Sequence, residues 1–202
     1  MTNPTNNLPG LHPPPPSDLL SRELPLKIIE AETILYRVHQ ARYEPIYFSY
    51  SGGGRLDVPE GVIYLAMDEW GAFRETIGRF TKYRLISREE LSKRRLSEVI
   101  SERALSLVDL TANGLTLLDA DARLLTGSYD IAQQWSSALQ KHPSKPDGIY
   151  YRSRHDPSRF CLALYQIRTS SILTVINTYD FLSDEYTNRL GRILDEYQYG
   201  LT

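Results

Sequence analysis

TILYRVH (Thr33–His39) and GVIYLAM (Gly61–Met67) are short, rich in β-branched and aromatic residues, and bounded by turn-forming residues. Both read as strands. Apolar side chains fall on both faces of each, which places them centrally in a sheet. Between them, Ser51-Gly52-Gly53-Gly54-Arg55 breaks regular structure. After the second strand, Asp68 can cap a helix on which Trp70, Phe73, Ile77 and Phe80 recur at helical spacing. Further out, Ser87-Arg88-Glu89-Glu90 has the spacing of a capping box and predicts a short helix. Leu105–Leu110 reads as a strand. Ser128 can cap a helix to about His142 that stacks Ile131, Trp135 and Leu139, with Pro143 and Pro146 ending it. Gly148–Ser153 and Arg159–Gln166 read as strands joined by the turn His155-Asp156-Pro157-Ser158, and Ile172–Ile176 as another. A last helix over Ser183–Tyr197 aligns Tyr186, Leu190, Ile193 and Tyr197. Strands and helices mix without the regular alternation of a doubly wound sheet. The expected class is α+β: a single domain over residues 27–202, with a mixed β-sheet core and flanking helices.

Seven of the twelve prolines precede Lys27, including the run Pro13 to Pro16. Residues 1–26 are therefore expected to form a Pro-rich flexible tail. The whole chain has 202 residues, 41% of them hydrophobic and 24% charged, which fits one ordinary globular core. The net charge of -2 argues against a nucleic-acid binder. Lys93-Arg94-Arg95, the densest basic run, reads as a solvated face. Cys161 is the only cysteine and lies in the apolar run Phe160–Leu164, so it reads as a core residue rather than a nucleophile. Without a disulfide, a membrane-spanning stretch or a signal pattern, a cytoplasmic location is expected.

Several chemistries lack their residues. His12, His39, His142 and His155 show no metal-ligand spacing, so no metal site is expected. No Gly-x-Ser-x-Gly elbow or phosphate loop occurs, and the triple glycine lacks the dinucleotide-binding pattern. A few polar residues stand where a core would not choose them. Arg37 interrupts an apolar strand and must find an anion, either a structural carboxylate or a ligand phosphate. Arg55 follows glycines whose amides could approach an anion closely, though from the residues alone a flexible surface loop is the default reading. Glu75 lies opposite the apolar stripe of its helix and would be functional only if that face lines a cleft. Tyr64 sits in a strand buried on both sides, so its hydroxyl needs a partner. Ser153 ends a strand after Tyr150 and Tyr151, between Arg152 and Arg154; such a serine is usually a turn residue.

Together and in this order these residues resemble the RES family, named for Arg, Glu and Ser. The resemblance runs from about Ile34 to Tyr165 in three blocks. Leu35-Tyr36-Arg37-Val38 is the first. Gly54-Arg55, Gly61–Ala66 and Ala72-Phe73-Arg74-Glu75 form the second. Asp147–Arg154 is the third. Leu56 and Asp57 depart from the aromatic and Asn that many members carry after the loop Arg. The resemblance implies an ADP-ribosyltransferase-like fold and a bacterial toxin of RES-Xre toxin-antitoxin systems. Its implied activity is cleavage of NAD+ at the nicotinamide bond, by phosphorolysis to nicotinamide and ADP-ribose 1″-phosphate. Hydrolysis or ADP-ribosyl transfer could use the same site, and an inactive binding module is the reading of another class. The roles implied are Glu75, Arg37 and Ser153 in catalysis, with Arg37, Arg55, Tyr64 and Ser153 holding NAD+ or phosphate. No cofactor is implied. The implied partners are NAD+, inorganic phosphate and an Xre-type antitoxin; the residues leave open whether a second copy of the chain joins as a homo-oligomer.

Overall fold

The computed structural model describes residues 12–78 and 84–202. Its strands and helices run, in chain order, β1 (Leu26–Ile29), β2 (Leu35–Gln40), β3 (Val62–Ala66), α1 (Glu69–Thr76), β4 (Leu85–Ile86), α2 (Arg88–Ser92), β5 (Arg94–Ser101) and β6 (Leu105–Asp109). There follow α3 (Gly114–Leu117), α4 (Arg123–Thr126), α5 (Tyr129–Gln140), β7 (Gly148–Arg152), β8 (Phe160–Tyr165), α6 (Gln166–Thr169), β9 (Leu173–Asp180), α7 (Thr187–Tyr197) and β10 (Gly200–Leu201). Eight strands form one sheet in the order β1-β6-β7-β8-β3-β2-β5-β9, and β10 pairs with β4. Within the large sheet β6 and β7 pair in parallel, and the other neighbours are antiparallel. A parallel pair needs a crossover, and α3, α4 and α5 supply it. The α+β expectation holds.

Local chemistry accounts for the element ends. Asp68 Oδ1 accepts from the Gly71 amide at 2.7 Å and starts α1, and Ser87 Oγ accepts from Glu90 N at 3.1 Å and starts α2. Phe80, expected at the end of the α1 stripe, lies outside the described residues. The last helix begins at Thr187 rather than Ser183, because Ser183 and Tyr186 still belong to a turn.

Strand β5 is not expected from the sequence, and the run Lys93-Arg94-Arg95 is not simply a solvated face. Arg94 and Arg95 open β5, with side chains 20% and 28% exposed, and pair with Glu90 and Asp180. The strand hides its periodicity because its polar residues are buried and paired. Ser97 Oγ meets His39 Nε2 at 2.9 Å and Thr178 at 2.8 Å, and Glu98 accepts from Arg189 and Asn177.

The expectation of a flexible tail over residues 1–26 needs correcting where it can be followed. Residues 1–11 lie outside the described part, but from His12 onward the segment is packed. His12 is 3% exposed and meets Trp135 edge-on, with ring centroids 5.5 Å apart. Its Nε2 accepts from Asp121 N, and Trp135 Nε1 donates to the Pro13 carbonyl at 3.0 Å. Leu19 and Leu24 then join the core. Two leucines and one histidine among prolines form no periodic stripe, so the burial is invisible until Trp135 is in place.

The two sheet faces are covered differently. On one face, α5 and the N-terminal strap bury Val62, Ile149 and Tyr165, while α1 and α7 bury Val38, Ala66 and Leu96. The opposite face carries Leu35, Ile63, Leu65, Val99 and Leu162, under Ile46 and Phe48 of the loop after β2. Two helical groups on one face leave a trough between them. Among the described residues no helix is long and apolar enough to cross a membrane.

Candidate active site

The trough is a cleft of about 700 Å³, well within the range of small-ligand sites. Sheet register builds its floor. Tyr36 pairs with Ala66, Ala66 with Cys161 and Cys161 with Tyr151, so one row of side chains crosses β2, β3, β8 and β7 on the same face. Tyr64, two residues before Ala66 on β3, shares that face. All five line the cleft, and Glu75 on the last turn of α1 reaches it from above. The apolar stripe of α1 faces the core, and the opposite flank, carrying Glu75, faces the cleft.

Ser153 is brought to Glu75. Its Oγ donates to Glu75 Oε1 at 2.5 Å and accepts from the amides of His155 at 3.1 Å and Asp156 at 3.0 Å. One hydroxyl has one proton and two lone pairs, so these three bonds use its whole capacity. The tight turn after β7 is therefore built on the same oxygen that orients the carboxylate. Ser153 is 1% exposed.

The Gly-rich loop brings Arg55 to the cleft, while its amides are turned to other partners. Gly53 N donates to Ser51 Oγ, Gly54 N to Asp57 Oδ2 at 2.9 Å, and Leu56 N to Tyr64 Oη at 2.9 Å. These amides are engaged within the protein and do not form an anion cradle. Gly54 is required by close approach: a Cβ there would lie 2.3 Å from Asp57 Oδ1 and 2.5 Å from Tyr64 Oη. The Tyr64 hydroxyl in turn donates to Asp57 Oδ1 at 2.8 Å, which satisfies its burial. Burial, reinforced by the Asp57 carboxylate, raises the Tyr64 pKa well above its ordinary value. Asp57 thus stitches the loop to β3. Gln133 of α5 holds the loop from the other side, donating to the carbonyls of Gly52 and Gly54, each at 2.8 Å.

Arg55 lines the cleft, donates to the Gly127 carbonyl at 2.6 Å and lies over the Tyr129 ring, 4.4 Å from its centroid. Burial holds its guanidinium below the ordinary arginine pKa, and nearby Arg154 acts in the same direction.

Arg37 is not brought to the cleft. Because strand side chains alternate, Tyr36 faces the floor and Arg37 the opposite side of the sheet, beside Ser97 of β5. Its guanidinium donates to the Pro45 carbonyl. The structural carboxylate expected from the sequence is not there: among the described residues no carboxylate pairs with Arg37. Burial lowers its pKa to about 10.

Tyr36, Asp57, Tyr129, Tyr151 and Arg154 also line the cleft, and sequence reasoning does not single them out. Two of them carry a usable signal: Tyr151 shares the face of Ser153 at i−2, and Tyr36 is the out-of-phase neighbour of Arg37. Cys161 is in the floor but 1% exposed, and burial pushes its thiol pKa well up, so it remains a core residue. Among the described residues no group of three or more His, Cys, Asp or Glu side chains could hold a metal ion.

Comparison with known proteins bears on the fold and the family. No curated protein matches the chain. The fold is similar to a solved structure, the M. tuberculosis MbcT-MbcA toxin-antitoxin complex, with a TM-score of 0.58 and 17% identity over 81% of this chain and 92% of that one. At that identity the likeness carries the fold. The RES domain model matches residues 34–184, which include Arg37, Arg55, Tyr64, Glu75 and Ser153. With three quarters of its length matched, the chain belongs to the RES domain family.

Proposed function

We propose that the protein cleaves NAD+ at the bond between nicotinamide and ribose, by phosphorolysis. The observation that carries this reading is the Glu75 carboxylate, held by the Ser153 hydroxyl above a floor of tyrosines. As the bond to nicotinamide breaks, its electron pair leaves with the ring and the ribose anomeric carbon becomes cationic. A fixed carboxylate beside that carbon stabilises the oxocarbenium-like transition state. A phosphate oxygen then forms the new bond, giving nicotinamide and ADP-ribose 1″-phosphate. Tyr36, Tyr64 and Tyr151 offer ring surfaces to the nicotinamide, and Arg55 offers its charge to a phosphate.

Ser153 serves as a positioning residue, because its hydrogen bonds are all taken within the protein. Arg37 also acts at one remove, fixing the loop that leads from Pro45 into the Gly-rich segment. Ser153→Ala is expected to lower kcat about tenfold to a hundredfold, the scale of one hydrogen bond to a charged group, while KM for NAD+ changes little. Partial rescue by Ser153→Thr would separate positioning from general damage. An unchanged kcat in Ser153→Ala would remove Ser153 from the mechanism.

The likeness to a toxin crystallised with its antitoxin supports a toxin role for this chain with a neutralising protein partner; we propose that this partner is of the Xre type. The reaction itself is tested by proton NMR of NAD+ incubated with the protein, with and without inorganic phosphate. Nicotinamide released only with phosphate, alongside ADP-ribose 1″-phosphate, is the expected result. Free ADP-ribose in both samples would mean hydrolysis by the same site. Intact NAD+ in both would overturn the reading.

A further inference from the structure

One guanidinium at the cleft has nothing to hold. Arg154 lines the cleft and is exposed, and among the described residues its side chain makes no hydrogen bond, ion pair or ring contact. Three other arginines around the cleft are engaged. Arg55 holds the Gly127 carbonyl, Arg152 donates to the Pro157 carbonyl at 2.8 Å and lies over Phe160, and Arg74 donates to the His155 carbonyl at 3.1 Å. The charge of Arg154 is felt by Arg55, which has the same sign. Two cations that face one cleft and repel each other gain from any dianion placed between them. Position narrows the ligand further. Arg154 follows Ser153, whose hydroxyl touches Glu75, so Arg154 stands near the reacting end of the cleft. Guanidinium groups match phosphate oxygens with paired hydrogen bonds.

We propose that Arg154 and Arg55 form a phosphate clamp, in which Arg154 is a substrate-binding arginine engaged when a phosphate group occupies the cleft. The proposal rests on the NAD+ reading and extends it by assigning the anion to these two residues. The phosphate is either the pyrophosphate of NAD+ or the attacking inorganic phosphate, and kinetics separate the two. Because Arg154 holds no partner among the described residues, Arg154→Gln should melt with the wild-type protein.

The test measures Arg154→Gln and Arg154→Lys with NAD+, with nicotinamide riboside (which has no phosphate), and across a series of phosphate concentrations. Binding of inorganic pyrophosphate is followed by calorimetry, without turnover. Arg154→Gln is expected to raise KM for NAD+ about tenfold to a hundredfold and to weaken pyrophosphate binding similarly, the scale of a charged hydrogen bond. KM for nicotinamide riboside should not move. Arg154→Lys should fall between, keeping the charge but not the paired geometry. A rise confined to KM for inorganic phosphate would support the clamp and assign it to the nucleophile. Wild-type KM values for both NAD+ and phosphate in Arg154→Gln, with wild-type pyrophosphate binding, would overturn the proposal. A wild-type protein that leaves NAD+ intact yet binds pyrophosphate more tightly than Arg154→Gln would refute the reaction and keep the clamp.

Discussion

Glu75→Gln protein is expected to fold as the wild type does and to release nicotinamide from NAD+ at least about 100-fold more slowly, a loss of about 2.7 kcal/mol of transition-state stabilisation. The substitution is nearly isosteric, and the amide oxygen can still accept from Ser153 Oγ. What disappears is the negative charge beside the anomeric carbon. The expected signature is therefore a fall in kcat with a smaller change in KM, because the interaction strengthens only as positive charge develops on the sugar. Nicotinamide release followed by NMR, paired with a thermal melt, checks both halves. A variant that melts normally and turns over at near the wild-type rate would sink the assignment of Glu75. A lower melting temperature with unchanged activity per folded molecule would give Glu75 a structural role instead.

Arg189→Met is the second large effect, and it falls on stability. Arg189 of α7 is 23% exposed, while the Glu69 and Glu98 carboxylates it bridges, at 2.7 and 3.0 Å, are each 8% exposed. Tyr186 donates to Glu69 at 2.8 Å, and Asn177 to Glu98 at 2.7 Å. Burial works against the Arg189 charge, but its hydrogen bonds to Glu98 and Glu69 outweigh that and raise its pKa above the ordinary value. Removing the shared cation leaves two buried carboxylates without it. The expected loss is about 3–5 kcal/mol in urea denaturation. Replacing both acids as well, in Arg189→Met/Glu69→Gln/Glu98→Gln, should recover most of it, because the penalty comes from uncompensated charge. A single-variant loss below about 1 kcal/mol would show the network to be incidental. The network matters to the cleft because Glu69 lies in the first turn of α1 and Glu75 in the last, and because Glu98 pairs across β5 and β2 with Tyr36 of the floor.

Much of this architecture is legible along the chain. Asp68 and Ser87 mark helix starts, and the runs around Tyr36, Tyr64, Leu107 and Leu162 mark strands, because capping and alternation are local properties of neighbouring residues. The elements that escape are those whose stability is not local. Strand β5 carries Arg94, Arg95, Ser97 and Glu98, which belong in a sheet only once His39, Asp180, Thr178 and Arg189 stand beside them. The strap around His12 and Leu19 reads as a tail until Trp135 and Leu124 provide a surface for it.

The candidate site divides along the same line. The order of residues is enough to locate the family blocks, the helix carrying Glu75, the Gly-rich break before Arg55 and the strand end at Ser153. Folding is what brings Glu75 and Ser153 into one hydrogen bond across 78 positions of sequence. It also turns Tyr36 rather than Arg37 toward the cleft, and leaves Arg154 there without a partner among the described residues. Alternation specifies that Tyr36 and Arg37 point opposite ways. Which side of the sheet holds the cleft depends on where α1, α5 and α7 pack, and that is settled by contacts between residues far apart in the chain.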